Sequence, residues 1–288
     1  MALVGCGDDA PAPPERPLFV TTIPPFAAIA APVVGERGAV TALLSAGDSP
    51  HTYEPRPSDV ERIRHATALL YGAPHLDEWA VDLPATHRIA LLDLVPPGFQ
   101  RPSVATIEAE AAHGGAHDPH FWTDPLAVRA LLPALADTLC ALDAEGCSTY
   151  AANADSLAAA LVDLDAELRG QLDPVRDTPV MLAQPFFQYF THRYGPEVVG
   201  VVEPQPANEP SPRALQGLVE RARRMGVRAI FVQRQLPPRA AEAVAEGAGI
   251  PVVALDPLGG TAGRMTYRDL LQYNAQVIRD ALLNPASS

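Results

Sequence analysis

Lysine is absent from this chain; all 21 basic side chains are arginine. Against them stand 34 acidic residues, for a net charge of −13. That balance argues against nucleic acid as a partner, because a phosphate backbone requires a basic footprint. An acidic surface attracts cations instead. The missing lysine, beside much Ala, Pro and Arg, reads as genome composition bias and carries no mechanism. Cysteine is scarce too, with three in 288 residues, too few for a four-thiolate cluster. No apolar run approaches the roughly 18 residues a membrane span needs. The sequence also lacks HExxH, GxSxG and a P-loop GKS/T, so no common hydrolase or NTPase motif is present.

What is there is globular. Some 48% of residues are hydrophobic and 19% charged, enough for a buried core. The length suits two ordinary domains or one large one. The N-terminus reads MALVGCGDDAPAPPERP. Leu3-Val4-Gly5-Cys6 resembles the lipobox of bacterial lipoproteins, which makes Cys6 a candidate for lipidation, followed by a polar, Pro-rich tether. Only five residues precede it, where a signal peptide needs an apolar stretch of about 7–15. Either the start lies further upstream or the likeness is chance. With Cys6 set aside, Cys140 and Cys147 remain. An even count fits one disulfide in an oxidising compartment; two separate buried thiols are the other reading.

From Leu18 onward, short apolar runs alternate with amphipathic stretches. LFVTTI, AVTALLS, ALLYGA and RIALLDL read as strands; PFAAIAAPVVGE and SDVERIRHA read as helices. A long polar segment from Val95 to Pro119 follows, then the helix DPLAVRALLPALADTLCALD. TYAANADSLAAALVDLDAELRGQL is a long helix, with Leu157, Leu161, Leu164 and Leu168 at helical spacing. The alternation then restarts through PVMLAQ, EVVGVV, AIFVQRQ and PVVALD. Repeated β–α–β order predicts parallel sheets flanked by helices. The expected organisation is a tail at 1–16, an α/β lobe at 17–146, a linking helix at 147–173 and a second Rossmann-like α/β lobe at 174–288.

Three of the eight histidines, His113, His117 and His120, fall within AHGGAHDPHFWTDP. Open α/β sheets bind ligands at the carboxyl ends of their strands. The donors just after strands or at a helix start are His51, His120, Gln184 and Asp256, two from each lobe. Facing lobes would let all four converge on one metal ion in the cleft.

The motifs then become specific. GDSPHTYEPRPSD and HDPHFWTDP resemble the two histidine motifs of the metal-binding solute-binding proteins of zinc and manganese ABC transporters. YFTHRYG, EPSP at Glu209–Pro212, IFVQRQ, VVALDPLG and TYRDLLQYN follow in that family's order, from about Leu18 to Leu283. The resemblance implies two α/β lobes on one long helix, a site outside the cytoplasmic membrane, a monomer, and delivery of the ion to a membrane permease. It implies His51, His120 and Asp256 as ligands. Gln184 departs from the family pattern, which places His or Glu there. Its neutral carbonyl is a weaker donor. His113 or His117 could complete the site, collect metal in the loop, or simply be solvated. Two imidazoles and a carboxylate suit zinc; manganese, or iron, is the alternative, since a Gln oxygen and a bidentate Asp256 supply more oxygen. Glu203, Glu209 and Gln233 are candidates for support of the ligands or for helix capping. His65, His75, His87 and His192 read as surface histidines, and Phe186, Phe187, Tyr189 and Phe190 as core. A zinc-dependent hydrolase and a metal-free adhesin or scaffold are the readings from other classes.

Overall fold

The computed structural model describes residues 16–103, 117–204 and 210–284. Two four-stranded sheets are present, and every pairing within them is parallel. The first contains β1 (Leu18–Thr21), β2 (Ala39–Ala42), β3 (Ala68–Tyr71) and β4 (Arg88–Ala90), in the order β2-β1-β3-β4. The second contains β5 (Pro179–Leu182), β6 (Glu197–Val201), β7 (Ile230–Gln233) and β8 (Val252–Leu255), in the order β6-β5-β7-β8. The fold is α/β with two lobes.

RIALLDL holds less strand than its apolar run promised. Pairing stops at Ala90, and Leu91–Leu94 wind into a 3-10 turn. The Gln100 amide donates to the Leu92 and Val95 carbonyls and secures that turn.

Helix ends follow their sequence signals. The helix α1 (Pro24–Val34) opens with prolines, whose missing N–H is not needed there. After α2 (Pro57–Arg64) comes α3 (Pro125–Leu142), capped by the Asp124 carboxylate on the Leu126 and Ala127 amides. By length and composition α3 could cross a membrane, with a mean hydropathy of 1.5 over 18 residues. This corrects the expectation that no segment comes that close. Its Val128, Leu131, Leu132, Leu135 and Leu139 are fully buried in the protein core.

The helix α4 (Cys147–Leu172) runs 26 residues between the two sheets in sequence. Leu161, Leu164 and Leu168 are buried along it. A disulfide joins Cys140 to Cys147 across the α3–α4 corner. The remaining helices are α5 (Gln188–Tyr194), α6 (Pro212–Met225), α7 (Arg239–Ala248) and α8 (Tyr267–Leu283). One apolar cluster extends from Phe26 and Trp122 through Leu164 and Leu168 to Phe187, Leu258 and Ile278. The core therefore passes from one lobe to the other without a break.

Candidate metal centre

The His51 loop leaves β2 and is pinned from two sides. The Trp79 indole donates to the Pro50 carbonyl at 2.9 Å. Tyr53 packs on the Trp79 ring at 4.8 Å and donates its hydroxyl to Asp59 at 2.6 Å. His51 is thus held toward His120, with ring centroids 6.0 Å apart. Among the described residues no hydrogen bond ties the His51 ring, so both of its nitrogens are available.

His120 is fixed differently. Asp118, two residues earlier, accepts from both the His120 amide (2.9 Å) and its Nδ1 (2.7 Å). A carboxylate on one ring nitrogen sets the tautomer and leaves Nε2 as the donor. Sequence reading missed Asp118, although HDPH holds it in plain view. Trp122 stacks near the His120 ring at 5.2 Å.

Hydrogen bonds across the lobes gather around this histidine. The Trp122 indole donates to the carbonyl of Pro257, the neighbour of Asp256, at 2.9 Å. Tyr189, five residues beyond Gln184, donates to the Asp118 carbonyl at 3.1 Å. A side chain added at Gly260 would meet Pro24 at 3.1 Å, so the loop after β8 lies against the first lobe.

Gln184 and Asp256 are both buried. Gln184 follows β5, and its amide nitrogen donates to Glu203 at 2.6 Å. A carboxylate only accepts, so that bond turns the amide carbonyl the other way. The carbonyl oxygen is then buried with no partner. An orphaned buried acceptor costs about 1–3 kcal/mol, and a cation is one way to satisfy it. Asp256 accepts at Oδ1 from the amides of Leu258 (3.1 Å) and Gly259 (3.0 Å) and from Gln235 (3.3 Å). It is thus Gln235 of IFVQRQ that reaches the carboxylate, a residue the sequence reading did not single out beside Gln233. Asp256 Oδ2 lies 3.1 Å from Arg264 Nε.

Among the described residues, the two imidazoles are the candidate donors seen side by side, their rings tilted by 55°. Among the described residues no three His, Cys, Asp or Glu side chains form a group that could hold a metal. His117 is exposed, and its carbonyl faces His75 Nε2 at 2.6 Å. Cys6, His113 and Glu209 lie outside the described residues. Phe186, Phe187, Tyr189 and Phe190 are buried, as expected of core.

Burial, then the nearby rings of His120 and His75, lower the His51 pKa from the usual 6.5 to about 4. Burial disfavours the charged ring. Between those pH values the unfolded chain binds more protons than the folded one, so stability rises with pH across the window. The contribution is complete above 6.5 and is lost on the way down to 4. It amounts to about 3 kcal/mol at most. Urea unfolding at pH 7 and pH 4.5 should show the loss, and His51→Asn should flatten it. An unchanged slope in that variant would assign the acid lability elsewhere.

Two parallel-sheet lobes on one long helix, with donors at strand ends between them, define a solute-binding protein of the rigid, single-helix type. The chain belongs to the family described as "Zinc-uptake complex component A periplasmic", which matches residues 19–281. It is 32% identical over 315 aligned positions to the high-affinity zinc uptake system protein ZnuA of Paracoccus denitrificans, covering 94% of each chain. The manganese-binding lipoprotein MntA of Halalkalibacterium halodurans is 26% identical, covering 87% of this chain and 83% of the relative. Among solved structures, the periplasmic zinc-binding protein TroA from Treponema pallidum superposes with a TM-score of 0.79 at 25% identity, covering 93% of this chain and 99% of that one.

Proposed function

We propose that this chain captures a divalent transition metal outside the cytoplasmic membrane and hands it to an ABC permease, acting as a monomeric carrier and not as an enzyme. The observation that carries this is the His51–His120 pair, two imidazoles held 6.0 Å apart by separate scaffolds. Gln184 would add its orphaned carbonyl, and Asp256 its carboxylate. Zinc is the preferred ion, since four mixed N/O donors suit its tetrahedral demand. The oxygen share from Gln184 and Asp256 favours manganese as the second reading, as does the likeness to a manganese-binding lipoprotein. The apolar core continuous between the lobes supports capture with little hinge motion.

The test is a competition titration of zinc against manganese on the purified chain, with Gln184→His alongside. Tight binding at one site, in either metal, supports a carrier. Gln184→His should tighten zinc by about tenfold or more, equal to about 1.4 kcal/mol. The new imidazole can keep a bond to Glu203, the arrangement common among metal-bound histidines. Failure of both proteins to bind either metal would rule out the carrier role.

A further inference from the structure

The Asp256 carboxylate is already occupied by a cation. Its side chain is 5% exposed, and Oδ2 lies 3.1 Å from the Nε of Arg264, itself only 14% exposed. Arg264 is held there by more than the ion pair. Its Nε and a terminal nitrogen donate to Thr261 Oγ1 at 2.9 and 2.7 Å, so the contact with Oδ2 is an ion pair without an aligned hydrogen bond. The guanidinium lies over the Tyr273 ring, 4.3 Å from its centroid. The segment that carries it, between β8 and α8, includes Gly259, Gly260 and Gly263, all at positive φ. Two backbone bonds, Gly260 N to Arg264 O (3.0 Å) and Arg264 N to Thr261 O (2.9 Å), close it into a small turn.

With Oδ1 taken by two amides and Gln235, Oδ2 is the oxygen left for a metal, and Arg264 stands on it. A dication and a guanidinium on one carboxylate oxygen repel each other strongly in a site with little water. At 3.1 Å the guanidinium therefore competes with an incoming dication for this oxygen. Nothing in the chemistry of the carboxylate requires arginine, because its buried charge is already met by three donors.

We propose that Arg264 is the residue that sets affinity at this site. It acts as an internal cation that the incoming metal must displace from Asp256. The inference rests on the metal-carrier reading above and adds to it. Capture becomes an exchange: the dication takes Oδ2, and the guanidinium leaves the carboxylate and the Tyr273 ring it now covers and swings toward solvent. Release runs the exchange backward, with Arg264 returning to the carboxylate as the metal leaves. Affinity is lower than the ligands alone would give, and the return of Arg264 favours unloading.

Zinc and manganese titrations of the wild type and of Arg264→Gln test this. Glutamine keeps a donor for Thr261 and removes the charge. Arg264→Gln should bind at least about tenfold tighter, a change of about 1.4 kcal/mol. In the wild type, the Arg264 Nε–H resonance followed by 15N NMR should shift and lose its protection from solvent exchange as zinc saturates the site. Equal or weaker affinity in Arg264→Gln, or an Nε–H signal unmoved at saturation, would show that the pair is a fixed brace and overturn the proposal while leaving the carrier reading intact. If Arg264→Gln fails to fold, the resonance in the wild type decides alone. Absence of binding in the wild type would overturn the carrier reading and this proposal together, an outcome distinct from the first two.

Discussion

Replacing His51 with alanine is expected to abolish high-affinity metal binding. Two features make His51 a sensitive position. It carries no competing hydrogen bond among the described residues, and burial with two neighbouring rings keeps it neutral down to about pH 4. A neutral imidazole is the ligating form, so the ring is ready at any pH the protein meets in ordinary solution. Loss of a directly ligating ring should exceed the effect of outer partners, which cost about 10–100-fold. The expected loss is therefore about 100-fold or more. His120→Ala should match it. His117→Ala should leave affinity within about threefold, less than 1 kcal/mol, because that side chain is exposed and the residue meets His75 through its backbone. The same competition titration reads all three. Zinc affinity unchanged in His51→Ala would move the site away from the imidazole pair.

The positions of the proposed donors along the fold were legible in the sequence. Periodicity located the strands and so the residues that follow them: Gln184 and Asp256 come just past β5 and β8, His120 opens a 3-10 turn, and His51 lies in the longer loop after β2. The long helix was legible because Leu161, Leu164 and Leu168 repeat at its pitch, and all three are buried. Partner choice was not legible. Asp118 on His120 could be suspected from the HDPH spacing, but Glu203 on Gln184 depends on how β5 and β6 end beside one another. Arg264 on Asp256 depends on a Gly-rich turn whose path no local pattern fixes. RIALLDL misled because its apolar run is real but serves burial in a 3-10 turn, with Leu91 and Leu92 in the core. Apolar pattern reports which side chains leave water; it does not report the backbone that takes them there.

The largest expected effect on stability lies at Arg193, away from the proposed ligands. Its Nε stands 2.8 Å from Asp124 Oδ1 and 3.0 Å from Asp165 Oδ1, as an ion pair without an aligned hydrogen bond. The three side chains are 16%, 9% and 12% exposed. They belong to three different elements: α5 of the second lobe, the cap of α3 in the first, and the long helix α4. Burial raises the Asp124 pKa while Arg193, the next largest influence, holds it down. Asp124 also caps α3 on two amides. Arg193→Met would keep the aliphatic stem but remove the cation shared by two buried carboxylates, leaving Asp124 its two amides and Asp165 the Tyr194 hydroxyl and Arg169. Breaking one partner of a buried pair costs about 3–5 kcal/mol. At about 2–4 °C per kcal/mol for a chain of this size, the Tm should fall by roughly 10 °C. Adding Asp165→Asn should recover part of the loss, because the repulsion between carboxylates then disappears. His120 lies four residues before Asp124, but among the described residues its own carboxylate partner Asp118 and the separate His51 segment do not touch Arg193, so metal affinity should drop only modestly while Tm drops sharply. A Tm within about 2 °C of the wild type would mean that solvent screens the triad, which would then contribute no more than a surface ion pair.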